Sequence, residues 1–354
     1  MGARSRGGFH KLRVALVEQL CEDASAVTFE VPPELVDTFD FLPGQFLTVR
    51  RTVDGVEQRR SYSIASPLGA LPRIGVREVL GGAISAWLVH DVRRGDLLDV
   101  APAAGSFVPD LATPGHHVLI AAGSGITPVL SIASSVLADG ASKATIVYGN
   151  RRSDTVMFVD DLADLKDAHL GRTEIVTVLS REVQEVEMFN GRLDAAKLES
   201  LLPALCDPAT VDQWWLCGPF DMVVDATTVL TAFGVAEGRI HRELFYVEDV
   251  APEPLRRTDP AVLGAAVTVV ADGRATLTSI AWDRPILDGA QRVRPDLPFA
   301  CRGGVCGTCR AKVTCGEVRM RRNFALQPTE VDGGYVLTCQ ALCVSDNVTV
   351  DYDA

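Results

Sequence analysis

Short apolar runs broken by polar positions open the chain, at residues 12–17, 26–31, 45–49, 59–65, 73–79 and 97–100. Turn signals lie between them: Pro32-Pro33, Pro43-Gly44, Asp54-Gly55 and Pro67-Leu68-Gly69. Strands of this length and spacing predict a small antiparallel β-barrel. One helix, residues 84–92, interrupts it and ends before Arg93-Arg94-Gly95. From His117 the pattern changes. Apolar strand runs at 118–122, 144–148, 174–179 and 214–217 alternate with helical stretches at 127–137, 159–166, 194–201 and 220–233. That alternation predicts βαβ units, a parallel sheet covered on both faces, and ligands at the carboxyl ends of its strands. Residues 250–262 are rich in proline and charge without periodicity and read as a semi-rigid linker. Beyond them, runs at 267–270 and 274–280 flank Asp272-Gly273, a strong two-residue hairpin signal. The predicted organisation is a tail (1–9), a barrel (10–112), an α/β domain (113–249), a linker (250–262) and a small third domain (263–354).

Composition narrows the class. The chain has 354 residues, 47% of them hydrophobic and 23% charged, which suits a globular protein of two or three domains. A formal charge of −12 makes it a poor binder of nucleic acid or anionic membrane. The apolar run 14–17 is too short for a signal-peptide core. Residues 118–138 lack charge, but Gly123, Gly125 and Pro128 interrupt them, so they read as strand, loop and helix rather than a membrane span. A cytoplasmic location is expected.

Nine cysteines are unevenly spread: Cys21, Cys206 and Cys217 are scattered, while Cys301, Cys306, Cys309, Cys315, Cys339 and Cys343 crowd the third domain. Reducing conditions disfavour disulfides there, so clustering points to metal ligation. Cys301, Cys306, Cys309 and Cys339 are separated by gaps of four, two and 29 residues. C-x4-C-x2-C…C is the spacing of plant-type 2Fe-2S ferredoxins. Gly303, Gly304 and Gly307 let the loop backbone close around a cluster and aim N–H groups at its sulfurs. The competing reading is a structural zinc site, whose ligands usually come as two C-x2-C-like pairs. Cys343 competes with Cys339 as fourth ligand; Cys339 is favoured because it follows the apolar strand 335–337.

The first two domains carry weaker signals whose order matters. Arg60 and Tyr62 share one face of a predicted strand, and Ser61 and Ser63 the other. An arginine on phosphate and a tyrosine on a flavin ring suit that geometry. Gly81-Gly82 opens the following helix, with Ser85 in its first turn, and forms a helix N-terminus suited to a pyrophosphate. In the second domain Gly123, Ser124, Gly125 and Thr127, followed by Pro128, sit between strand and helix, where a dinucleotide pyrophosphate binds. Each alone is matched by a bland reading, a tight βα turn or a core tyrosine. Arg151, Ser180 and Arg181 follow the next two strands, where arginines suit a 2′-phosphate. Cys217-Gly218-Pro219 ends the last strand, with Cys217 beside the nicotinamide pocket or simply a buried small hydrophobe.

In this order the motifs R-x-Y-S, G-G-x-x-S, G-S-G-I-T-P, Y-G-N-R, C-G-P and C-x4-C-x2-C resemble the ferredoxin–NADP reductase superfamily with a C-terminal plant-type ferredoxin domain. The resemblance spans nearly the whole chain. Within the superfamily the chain looks most like the reductases of phenylacetyl-CoA epoxidases, through Phe9-His10, Gly191-Arg192-Leu193-Asp194, the segments 297–301 and 335–342, and the ending 350–354. Reductases of 3-ketosteroid 9α-hydroxylases share most motifs. The resemblance implies a β-grasp (α+β) third domain and FAD on Arg60, Tyr62 and Ser63 with Gly82 and Ser85, FMN being the alternative. It further implies a nicotinamide dinucleotide on 123–127, NADPH rather than NADH, with Cys217 near its ring and Phe245, in Glu243-Leu244-Phe245, over the flavin. The implied route runs from NADPH through FAD and the 2Fe-2S cluster to the oxygenase component of a multicomponent monooxygenase, the epoxidase core subunits. Such a relay needs no acid–base pair, and no catalytic residue is assigned. Eight basic residues against two acidic ones between Arg292 and Arg322 suggest a docking surface for an acidic partner.

Overall fold

The computed structural model describes residues 8–245, 264–299 and 301–354. It comprises two compact units, Phe9–Phe245 and a second that contains Tyr246–Ala354; each is described by itself. The expected linker, 250–262, lies outside the described residues.

The larger unit begins with β1 (His10–Cys21), β2 (Ala24–Glu30), α1 (Val36–Phe39), β3 (Phe46–Val53), β4 (Val56–Ser63), β5 (Arg73–Arg77), α2 (Ala83–His90) and β6 (Leu97–Ala104). The six strands form an antiparallel sheet in the order β4-β3-β6-β1-β2-β5, and a bridge from Ile64 to Ile74 brings its two edges together as a barrel. Alternation explains it: Leu12 and Val14 are fully buried while Lys11 and Arg13 are exposed, and Val27, Phe29, Leu47 and Val49 fill the same interior.

The α/β part follows with β7 (His116–Ala122), α3 (Ile126–Leu137), β8 (Lys143–Asn150), α4 (Val159–Ala168), β9 (Thr173–Leu179), α5 (Ala195–Leu205), β10 (Gln213–Gly218), α6 (Phe220–Ala232) and β11 (Ile240–Leu244). All pairings are parallel, in the order β11-β10-β7-β8-β9. The order reverses between β7 and β10, so a crevice opens at their carboxyl ends. The uncharged stretch 118–138 resolves into β7, a short turn and the buried α3. No helix among the described residues is long and apolar enough to cross a membrane. Strand β5 joins barrel to sheet. A Cβ on its Gly75 would lie 2.6 Å from Thr127 Oγ1, and its Arg73 pairs with Asp161 at 2.5 Å and Glu18 at 3.0 Å.

The smaller unit contains β12 (Ala265–Ala271), β13 (Arg274–Ile280), α7 (Ile286–Ala290), β14 (Arg310–Cys315), β15 (Val318–Met320), α8 (Pro328–Asp332), β16 (Tyr335–Leu337), β17 (Ala341–Cys343) and β18 (Asn347–Asp351). The main sheet runs β13-β12-β18-β14-β16, with only β12 and β18 parallel; β15 and β17 make a second, two-stranded sheet. The hairpin read from Asp272-Gly273 is present, both residues at positive φ (52° and 68°). This is the expected multidomain class: antiparallel barrel, parallel α/β sheet and an α+β grasp domain.

Candidate functional site

Strand β4 carries the first group. Arg60 is exposed, Tyr62 packs half-buried against the barrel core, and burial raises its phenol pKa. Ser61 Oγ lies 3.2 Å from Thr48 Oγ1, and the buried Ser63 donates to Glu243 Oε2 at 3.1 Å. The turn into α2 is tied by Ser85, whose hydroxyl accepts from Val79 N–H and donates to Gly82 O, both at 3.0 Å. Gly82 is the N-cap, and a Cβ there would lie 2.6 Å from Ser85 Oγ. The bare backbone thus reaches the start of the helix, a cradle that fits a pyrophosphate.

The crevice between β7 and β10 holds the second group. Gly123 adopts φ +56°, and its carbonyl accepts from Tyr148 OH at 3.0 Å. A Cβ on Gly125 would sit 2.0 Å from Cys217 O, so only glycine lets the loop approach the end of β10. Thr127 is buried and donates to Ser124 O at 2.8 Å, shaping the loop from within. Gly218 ends β10 and Pro219 caps α6. At the ends of β8 and β9, Arg181 N–H donates to Arg151 O at 2.8 Å and Ser180 N–H to Asn150 O at 2.9 Å, which holds the two segments' backbones together. The Arg151 side chain reaches Asp23 at 3.3 Å. His116, His117 and His241 lie toward the amino ends of β7 and β11, away from the crevice.

Glu243, which enters the sequence reading only within the motif Glu243-Leu244-Phe245, is the residue that reading missed as a functional group. It pairs with Cys217 across β10 and β11 and meets Ser63 from the barrel. Part of the residue touches solvent, but burial of its carboxyl pushes the pKa up to about 8, against the smaller lowering effect of Ser63. Cys217 is fully buried and its thiol is held well above the ordinary value by desolvation, so it is no nucleophile. The available signal was a carboxylate directly before the apolar pair Leu244-Phe245. Phe245 follows β11, 38% exposed.

In the smaller unit the four predicted cysteines come together in pairs. Cys301 lies in hydrogen-bonding contact with Cys306, and Cys309 with Cys339, while the Cys306 thiol itself donates to Thr308 Oγ1 at 3.2 Å. Cys301 Sγ accepts from Gly303 N–H at 3.3 Å, and the Gly304 backbone bonds Cys339. Two thiol pairs ringed by backbone donors fit two irons. No three His, Cys, Asp or Glu side chains among the described residues meet as a single metal ion requires. Cys343 sits on β17 opposite Val318, and Cys315 is exposed. The basic excess is smaller than the sequence count: Arg294 pairs with Asp296, Arg302 with Asp288 and Arg310 with Glu330, each at 2.6 Å. Asp288 and Glu330 come from outside the counted window.

Comparison with known proteins agrees with this geometry. Residues 11–108 match the oxidoreductase FAD-binding domain, 119–228 the oxidoreductase NAD-binding domain, and 269–344 the 2Fe-2S iron-sulfur cluster binding domain. The chain is 41% identical to one of the subunits of the 1,2-phenylacetyl-CoA epoxidase of Escherichia coli, over 98% of both chains. It is 32% identical to the ferredoxin reductase component of 3-ketosteroid-9-alpha-monooxygenase from Rhodococcus rhodochrous, over 96% of both. Among solved structures, phthalate dioxygenase reductase superposes with a TM-score of 0.58 at 24% identity, over 97% of this chain and 98% of that one. This last likeness bears on the fold alone.

Proposed function

Because this chain belongs to the oxidoreductases of the ferredoxin–NADP reductase type that carry a C-terminal 2Fe-2S domain, we propose that it draws electrons from NADPH and delivers them singly to the oxygenase component of phenylacetyl-CoA epoxidase. The observation that supports this most is 41% identity to a component of that enzyme along 98% of both chains. Bound flavin supplies the exchange between a two-electron hydride donor and a one-electron acceptor.

The residues divide the work. Arg60, Ser61, Tyr62 and Ser63, with Gly81, Gly82 and Ser85, hold FAD. Gly123, Ser124, Gly125 and Thr127, with Cys217, Gly218 and Pro219, shape the dinucleotide crevice, and Phe245 covers the flavin. Ser63 and the protonated Glu243 keep a movable proton at the carboxyl ends of the strands. Cys301, Cys306, Cys309 and Cys339 hold the cluster. Arg151, Ser180 and Arg181 take the 2′-phosphate, which favours NADPH. Replacing both arginines by alanine raises the KM for NADPH by roughly tenfold, about 1.4 kcal/mol, and leaves that for NADH nearly unchanged. Equal effects on both cofactors would remove the assignment.

The partner is tested by reconstitution. Mixed with epoxidase core subunits, the purified chain couples NADPH oxidation to phenylacetyl-CoA consumption; coupling only to a 3-ketosteroid 9α-hydroxylase oxygenase would favour the second reading, supported by 32% identity to that reductase. The protein is expected to work in the cytoplasm.

A further inference from the structure

The loop that carries the first three cysteines contains an unusual backbone. Arg302 adopts φ +54°, the left-handed region that a residue with a β-carbon avoids, at a cost on the order of 1 kcal/mol or more. Something must hold it there. Its guanidinium is anchored to Asp288 at 2.6 Å and Gln291 at 2.5 Å and lies 4.5 Å over the Phe299 ring, but these contacts fix the side chain, not the peptide.

The peptide is held by a residue 38 positions away. Gln340, only 5% exposed, donates from Nε2 to Arg302 O at 2.7 Å. The same nitrogen lies 3.8 Å from Cys339 Sγ, within reach of a hydrogen bond to sulfur. Its own backbone is fixed at both ends, N–H to Leu337 O at 2.8 Å and carbonyl from Arg321 N–H at 2.9 Å. The stem is also enclosed, since a Cβ on Gly304 (φ +80°) would lie 3.0 Å from Gln340 Cγ. One buried amide therefore ties the loop's strained turn to the sulfur of the fourth cysteine.

We propose that Gln340 is a positioning residue for the iron–sulfur cluster, whose side-chain amide fixes the cysteine loop and, by donating to Cys339 Sγ, raises the cluster's reduction potential. The inference rests on the reading of the four cysteines as its ligands. A donor on a ligand sulfur withdraws negative charge and so favours the reduced, more negative state. Methionine is the informative replacement, because it keeps an unbranched stem of similar length against Gly304 and removes both donor hydrogens.

The experiment uses the full-length holoprotein. Iron and inorganic sulfide analysis of the native protein tests the ligand reading first; absence of both ends that reading and this one with it. With the cluster present, midpoint potentials of native protein and Gln340→Met are compared by dye-mediated titration read by electron paramagnetic resonance. The expected shift is to more negative potential by a factor of roughly three in the one-electron equilibrium, about 28 mV at 59 mV per tenfold. A fully loaded Gln340→Met cluster with the native midpoint would overturn the proposal. Should the variant fail to load, native protein carrying glutamine labelled with 15N only in the side-chain amide decides: hyperfine coupling of that nitrogen to the reduced cluster supports the bond, and its absence refutes it.

Discussion

Glu243 shows how far a single residue's behaviour departs from its type. Its carboxyl is moved from an ordinary value of 4.5 to about 8 by burial. A raised acid contributes stability fully below its unfolded pKa, and that contribution is lost as pH rises through the folded one. Native protein should therefore lose stability relative to Glu243→Gln as pH climbs from 5 to 9. Thermal midpoints of the two proteins measured across that range check it; a constant difference would mean the carboxyl titrates normally. The strand around it buries Ile240 and Leu244, but its run Ile-His-Arg-Glu-Leu shows no apolar alternation that would announce it in the sequence. The protonation is not visible there either, because its cause is packing, and its Ser63 partner stands 180 positions away.

At the scale of elements, the barrel and the parallel sheet were legible because their strands are mostly five to eight residues long and alternate or run apolar without break. Short elements were not. α1, β11, β14, β15, β17 and β18 escaped a reading by periodicity, and β12 pairs in parallel with β18 some 80 positions later. The last strand nonetheless secures the cluster loop. Just past β18, Tyr352 OH lies 2.7 Å from Thr338 Oγ1, which donates to Cys309 O at 3.0 Å; Thr338 is fully buried and Tyr352 nearly so. Tyr352→Phe removes that bond at a cost of about 1 kcal/mol. Its loaded cluster is expected to bleach at a lower temperature than the native one when followed by visible absorbance, with flavin release unchanged; an unchanged bleaching midpoint would show that the tyrosine packs but does not lock.

For the molecule as a whole, the division into two compact units separates the flavin and nicotinamide chemistry from the iron–sulfur chemistry. A chain ending at residue 245 should retain its flavin and reduce ferricyanide with NADPH near the full-length rate, while reduction of cytochrome c falls to background. Retained cytochrome c reduction would mean that the flavin unit alone reaches a protein acceptor. Short stretches of chain encode a good part of this organisation unaided: three cysteines within nine residues, glycines at a strand-to-helix turn, and the switch from barrel to βαβ pattern. It took the folded chain to show that Asp288 and Glu330 neutralise part of the basic cluster and that Gln340 pins Arg302. Those outcomes depend on distance and burial between segments that are mostly far apart along the chain, and no local pattern of residues carries that information.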